Sequence, residues 1–301
     1  MAGIEQRIRE RGAVLDMPFT QSIYKPLLAD QPRDGVSVER DLRYGDDPRA
    51  RLDVYRPQTD ELSPRAVLLF FHGGGFIRGD KAERENVGLY FARHGLVVVV
   101  ANYRLAPAHT WPAGAEDVMR VYCWARDNAA RFGGDPARLF LAGESAGAAH
   151  VAAAILVRRF HRGELHVAGT ILISGVYNVH LESLARAQFG LATPDPRNEA
   201  YFGGAAERYP GMSTVELIDA PQSAPLLITY AELDLPQMQV QAGELFARLV
   251  VEHGYQPQLA VIRGHNHLTQ LYAVNTGDES LTAPMLKFLG VPTPADSSSK
   301  G

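Results

Sequence analysis

Cysteine is nearly absent. The 301 residues contain one, Cys123, which excludes an intrachain disulfide framework and any metal site built from several cysteines. It falls in a helical pattern, where a lone cysteine is ordinarily inert packing. A basic surplus is missing as well: 30 Lys and Arg stand against 34 Asp and Glu, a net charge of −4. Nucleic-acid binding needs an excess of cations to neutralise phosphates, so no nucleic-acid partner is expected. Long apolar runs are also lacking. Runs such as Leu96–Ala101 are far short of the roughly 20 residues that span a bilayer. The opening MAGIEQRIRERG has no apolar stretch like that of a signal peptide. A soluble, cytoplasmic chain without a membrane span is the expectation.

What is present suits a large globular core. Hydrophobic residues make up 46% and charged residues 21% of the chain, a balance that excludes disorder, collagen-like repeats and a coiled coil. Short β-branched or apolar runs alternate with helix-period stretches. Val36–Leu42 and Leu52–Arg56 alternate around a Gly-Asp-Asp-Pro turn and read as an antiparallel hairpin at a sheet edge. Val67–His72, Leu96–Ala101, Leu139–Gly143, Ala168–Ser174, Leu226–Tyr230 and Gln258–Ile262 read as strands covered on both faces. Ala113–Phe132, Ala146–Phe160 and Gln237–His253 read as helices. This alternation predicts an α/β class with a mostly parallel sheet. Residues 1–35 and roughly 177–222 fit it poorly and are expected to form an N-terminal cap segment and a cap or lid insertion in a domain spanning 36–290. The Pro- and Ser-rich 291–301 is expected to be a disordered tail.

The strongest local signal is Gly143-Glu144-Ser145-Ala146-Gly147, between an apolar run and a long helical stretch. A chain turning sharply from strand to helix needs glycines where side chains would collide, and it lifts the serine hydroxyl to a helix N-terminus. Ser145 is therefore the candidate nucleophile. His72-Gly73-Gly74-Gly75-Phe76 follows another strand. Three glycines in a row cost backbone entropy, which fits a loop offering bare amides to a developing oxyanion. Gly74, Gly75 and Ala146 are the candidate donors. No lysine follows at the spacing of a phosphate loop. His72 reads as a residue that holds the loop.

A serine hydroxyl needs a histidine base, and the base needs a carboxylate to orient it. Behind such an elbow the carboxylate comes first along the chain and the histidine second. Gly264-His265-Asn266-His267 lies directly after a late strand, and His267, opening the last helical stretch Leu268–Val274, is preferred over His265. A His-x-His metal pair is the competing reading, but no third ligand stands at metal spacing, so no metal is expected. For the acid, Asp234 is preferred over Glu232, lying deeper in the loop after Leu226–Tyr230. Phe76, Tyr177 and Leu268 are candidate pocket-lining residues.

These residues resemble the α/β-hydrolase superfamily, and within it the hormone-sensitive-lipase-like esterases. The resemblance is carried by His72–Phe76, Tyr103-Arg104-Leu105-Ala106-Pro107, Trp111-Pro112-Ala113 with Asp117, Gly133-Gly134-Asp135-Pro136, and Gly143–Gly147. It implies an eight-stranded sheet, a small cap built partly from the N-terminus, and a cofactor-independent serine carboxylesterase acting on small esters. The C-terminal half, with Glu232-Leu233-Asp234-Leu235-Pro236 and Gly264–Leu268, looks more like kynurenine formamidase and feruloyl-esterase-like hydrolases, which keeps amide, formamide and lactone hydrolysis open. A catalytically silent hydrolase-like binding domain is the reading from another class. The expected partner is a small-molecule ester, and a homodimer is compatible with the sequence. Arg104 and Asp117 are expected to pair structurally.

Overall fold

In the structure, a computed structural model that describes residues 2–59, 63–220 and 224–291, every apolar run becomes a strand. They are β1 (Val36–Arg43), β2 (Arg51–Pro57), β3 (Arg65–Phe71), β4 (Val97–Ala101), β5 (Gly134–Glu144), β6 (Gly169–Ile173), β7 (Leu226–Leu233) and β8 (Gln258–Asn266). One sheet holds all eight in the order β1-β2-β4-β3-β5-β6-β7-β8. β2 pairs antiparallel with both β1 and β4, so the expected hairpin lies at one edge. The remaining pairs are parallel.

In the centre of the sheet the continuous runs follow from burial on both sides; β8 is a correction, because it lies at the edge and leaves Leu259 and Val261 exposed. Side chains alternate across a strand. Val67, Leu69 and Phe71 of β3 pack into one apolar cluster, while Leu68 and Phe70 pack into another on the opposite face. In β4, Val97 and Val99 join the first cluster and Val98 and Val100 the second. A parallel sheet needs crossover helices, and these cover both faces.

The helices are α1 (Ala2–Arg11), α2 (Met17–Ala29), α3 (Glu85–Arg93), α4 (Ala113–Asn128), α5 (Ala146–Leu156), α6 (Val179–Gln188), α7 (Pro196–Phe202), α8 (Thr214–Leu217), α9 (Pro236–Val251), α10 (Thr269–Tyr272) and α11 (Thr282–Leu289). Helices α4, α5 and α9 supply Val118, Val151 and Leu245 to the first cluster, and α3 and α11 supply Phe91 and Leu286 to the second. α11 is a correction to the sequence reading, which placed the last helix at Leu268–Val274. A turn-rich stretch before it and Pro284 in its first turn, where proline is tolerated, disguise its period.

Residues 1–35 contain α1 and α2, which pack on each other and on the sheet's far end through Ile8, Ile23 and Tyr24. Residues from 177 to 220 contain α6, α7, α8 and a 3-10 helix (Ala206–Met212). Residues 221 and 222 of the expected insertion lie outside the described residues. So does the expected tail apart from Val291, which packs against the second cluster. Among the described residues no helix is long and apolar enough to cross a membrane.

Candidate active site

The site forms where five strands end. Ser145 follows β5, Asp234 follows β7, and His267 follows β8. The glycine loop follows β3, and Ser174 follows β6. Open α/β sheets place their ligand crevices at these carboxyl ends.

The strand-to-helix turn at Ser145 is sterically forced. A Cβ at Gly147 would sit 2.3 Å from the carbonyl oxygen of Phe71, and one at Gly143 would sit 2.5 Å from the Gly147 backbone. Only glycine lets β3, β5 and α5 approach this closely. Ser145 carries φ 51° and ψ −118°, a sparsely populated conformation that costs roughly 1–3 kcal/mol. Its amide is held by the Ile173 carbonyl at 2.8 Å.

His267 connects the serine to the acid. Its Nδ1 lies 2.7 Å from Asp234 Oδ1, and its Nε2 lies 3.0 Å from Ser145 Oγ. With Nδ1–H donating to the carboxylate, Nε2 is left to accept from the hydroxyl. Burial favours the neutral ring, but the charge and hydrogen bond of Asp234 outweigh it and hold the His267 pKa above its ordinary value. Asp234 is fully buried. It also accepts hydrogen bonds from Ser174 Oγ, the Ala231 amide at 3.2 Å and the Leu235 amide at 2.9 Å.

The alternatives weighed from the sequence stand elsewhere. Glu232 accepts from Arg9 of α1 at 2.9 and 3.1 Å and from the Gly264 amide at 2.8 Å. It ties the N-terminal helix α1 to β8. His265 faces Asp278 at 3.3 Å and Thr269 Oγ1 at 3.2 Å. His72 is buried, stacks on Tyr103 with ring centroids 4.4 Å apart, and its Nδ1 lies 2.6 Å from the Gly73 carbonyl oxygen. Burial lowers its pKa to about 4, so it stays neutral and holds the loop, as expected. Arg104 and Asp117 pair at 2.9 Å.

Gly74 and Gly75 line the cavity beside Ser145, and Ala146 opens α5. Their three amides enter no hydrogen bond among the described residues. Gly74 has φ 134°, and a Cβ there would fall 1.9 Å from the Arg78 carbonyl oxygen, so no side chain fits. The cavity measures about 330 Å³. Leu268 lies on its wall, with Leu15, Met17 and Gln21 from the N-terminal segment. Phe76 and Tyr177 do not, which corrects the expectation that they line the pocket. Phe76 is buried and stacks on Tyr201 at 4.7 Å. Tyr177 is buried in the first cluster, its hydroxyl accepting from the Gly175 amide at 3.2 Å.

Four supporting residues escaped the sequence reading. Ser174 bonds to Asp234, and Gln270 donates to Ser174 Oγ at 2.8 Å and to the His267 carbonyl at 3.2 Å. Glu144, the variable residue of the elbow, accepts from the Gly73 amide at 2.9 Å and pairs with the buried Arg84. Arg197 of α7 reaches the cavity from the second irregular segment. Ser174 had a readable signal: like the other site residues, it stands directly after a strand. Among the described residues no three His, Cys, Asp or Glu side chains come together to hold a metal ion.

A serine on a strained elbow, backed by histidine and a buried carboxylate at the ends of a mostly parallel sheet, defines the architecture of an α/β hydrolase. The family model for the alpha/beta hydrolase fold matches residues 68–271, and the chain belongs to that family. It is 38% identical over 149 residues to the isoprenylcysteine alpha-carbonyl methylesterase of Arabidopsis thaliana, covering 49% of this chain and 33% of that one. It is 40% identical over 109 residues to the esterase LipC of Mycobacterium tuberculosis, covering 36% and 27% respectively. These matches therefore span about a third or less of the relatives' length. Among solved structures, esterase B from Lactobacillus rhamnosis superposes with a TM-score of 0.76 at 18% identity, covering 100% of this chain and 98% of that one. A bacterial heroin esterase superposes with 0.74 at 24% identity, covering 92% and 91%. At those identities the likeness is one of fold.

Proposed function

We propose that this chain is a serine carboxylesterase that hydrolyses small carboxylic esters through an acyl-enzyme. The observation that carries the reading is the unbroken chain from Asp234 through His267 to Ser145 Oγ, with hydrogen bonds of 2.7 and 3.0 Å. The esterase names of the relatives and of the structural neighbours support the same bond class.

The chemistry follows from the positions. Ser145 Oγ attacks the ester carbonyl carbon as its proton passes to His267 Nε2. The carbonyl π electrons move to oxygen, and the oxyanion is received by the amides of Gly74, Gly75 and Ala146. Asp234 stabilises the imidazolium and fixes its tautomer. Collapse of the intermediate breaks the bond to the alkoxide, which takes the proton from Nε2 and leaves as the alcohol. A water then gives its proton to His267 and attacks the acyl carbon. This second intermediate collapses with return of the proton to Ser145 Oγ, releasing the acid. α1, α2 and the segment from 177 to 220 act as the cap over this site.

The test is Ser145→Ala with a chromogenic short-chain ester. Turnover should fall by at least about three orders of magnitude with the melting curve intact, and a fluorophosphonate should add its mass to the native protein at Ser145. Persistent turnover in the variant, or a native protein that the probe does not label, overturns the reading.

A further inference from the structure

Three guanidinium groups lie on the wall of the cavity, those of Arg78, Arg84 and Arg197. Arg78 lies on it, exposed, with no ion-pair partner among the described residues. Arg197 lies on it as well, and its side chain runs directly over the glycine loop. A Cβ at Gly75 would meet Arg197 Cδ at 2.7 Å and Nε at 3.3 Å. The Arg197 side chain is thus packed against the loop that offers the proposed oxyanion donors.

Arg197 is held in place from behind. Asp195, itself buried, accepts from its Nε at 2.9 Å and its Nη2 at 2.5 Å. Nη1 has no partner among the described residues. Asp195 does not cancel the charge alone, because Arg186 also pairs with it at 3.1 Å. The second nearby acid is Glu182, 3.8 Å from Arg186. Burial pushes its pKa up to about 7, which weakens its hold on the neighbouring guanidinium groups. At its cavity end the cluster presents the Arg197 guanidinium, while Asp195 is shared between Arg197 and Arg186. Two acids also line the wall: Glu144 is taken up by its ion pair with Arg84, and Glu83 stands on the side shared with the neighbouring groove lined by Lys25 and Leu28. Arg78 and Arg197 do not line that groove.

We propose that the ester hydrolysed here carries a carboxylate a few bonds from the scissile carbonyl, and that Arg197 with Arg78 binds it beside the glycine loop. The inference rests on the esterase reading of the same site. An anchored guanidinium with free N–H groups is suited to a carboxylate, since charge-assisted bonds are stronger than neutral ones. The anion belongs to the acyl part or to the alcohol part, and two substrate pairs separate these sources. The acyl pair is the 4-nitrophenyl monoester of glutarate against 4-nitrophenyl valerate. The alcohol pair is 4-acetoxybenzoate against 4-acetoxybenzamide.

In one pair the anionic member should show kcat/KM at least about tenfold higher at low ionic strength. The margin should shrink in about 0.5 M salt, which screens exposed charge. Arg197→Gln should cut the anionic-to-neutral ratio by roughly tenfold, with Arg197→Lys between, and Arg78→Gln should cut it less. If Arg197→Gln fails to fold, Arg78→Gln and the salt dependence of the native protein read the same ratio. Neutral esters preferred in both pairs, or a ratio indifferent to salt and to the variants, overturns the proposal. An absence of turnover on all four esters overturns the esterase reading instead.

Discussion

Glu144→Gln isolates one charge in the site's foundations. The Glu144 carboxylate is 5% exposed and its partner Arg84 is 6% exposed. They form an ion pair, and the same Glu144 Oε1 accepts from the Gly73 amide at 2.9 Å. Glutamine is nearly isosteric and can still accept that amide. What disappears is the negative charge, leaving a buried guanidinium without compensation. Breaking a buried pair from one side costs about 3–5 kcal/mol. For a chain of this size the melting temperature should fall by on the order of 10 °C. The companion variant Arg84→Met/Glu144→Gln removes both charges and should recover most of the loss, because a buried pair exchanged for apolar and neutral groups is often close to neutral. Thermal melting by circular dichroism measures both. A single variant melting within about 2 °C of the native protein, or a double variant no better than the single, refutes the assignment of this pair as the buttress beneath the glycine loop.

Gly147→Ala places a methyl 2.3 Å from the Phe71 carbonyl oxygen. Backbone must move, so the chemical denaturation midpoint should drop by an amount equivalent to about 1–3 kcal/mol; an unchanged midpoint contradicts the close approach of α5 to β3. The acid limb of kcat/KM should have its midpoint above 6.5, because Asp234 raises the His267 pKa despite burial and only the neutral ring can take the serine proton. The stability sign is opposite: the pair's contribution is fully present below the unfolded pKa and is lost as pH rises through the folded one. A rate midpoint below 6.5 defeats this account. His267→Asn should lower turnover by about four orders of magnitude, whereas His265→Asn, losing contacts to Asp278 and Thr269, should retain it within a few-fold; equal losses contradict the geometry.

The sheet was legible because its central strands are buried on both faces and therefore read as unbroken apolar runs. The elbow was legible because glycine is the only residue that fits at 143 and 147, and the proposed chemistry at 145 requires a hydroxyl. The pocket walls were not. Phe76 borders the glycine loop in sequence, yet the chain turns it into an aromatic cluster with Tyr201 and Phe202. Leu15, Met17 and Gln21 reach the cavity only because α1 and α2 fold over the far end of the sheet, and no local pattern encodes that docking. Arg197 was hidden for a different reason. Its position on Gly75 depends on Asp195, two residues earlier, being buried by the surrounding segment. α11 shows the limit of periodicity in a short helix with proline in its first turn.

Glu232 and Asp234 show how environment, and not residue type, separates roles. They lie two residues apart at the end of one strand, and either could orient a histidine. Glu232 remains in β7 and is about a quarter exposed at its side chain. There it meets Arg9 of α1 and the Gly264 amide, and its pKa is lowered by those hydrogen bonds, Arg9 first. Asp234 lies one residue beyond the strand, where the chain turns inward, and it is fully buried. Two backbone amides and Ser174 fix both of its oxygens before His267 adds its own bond. A carboxylate held this way cannot swing aside when the imidazole takes a proton, which is what orienting a base demands. Exchanging the two, as Glu232→Asp with Asp234→Glu, keeps the charge of the loop but puts the longer side chain into a space closed by Ser174 and the Ala231 and Leu235 amides. Turnover should fall by about two orders of magnitude or more from the misplaced imidazole, while each charge is still present. A swapped protein with native turnover means that the loop tolerates either acid, and that the fixed oxygens of Asp234 do not determine the histidine's orientation.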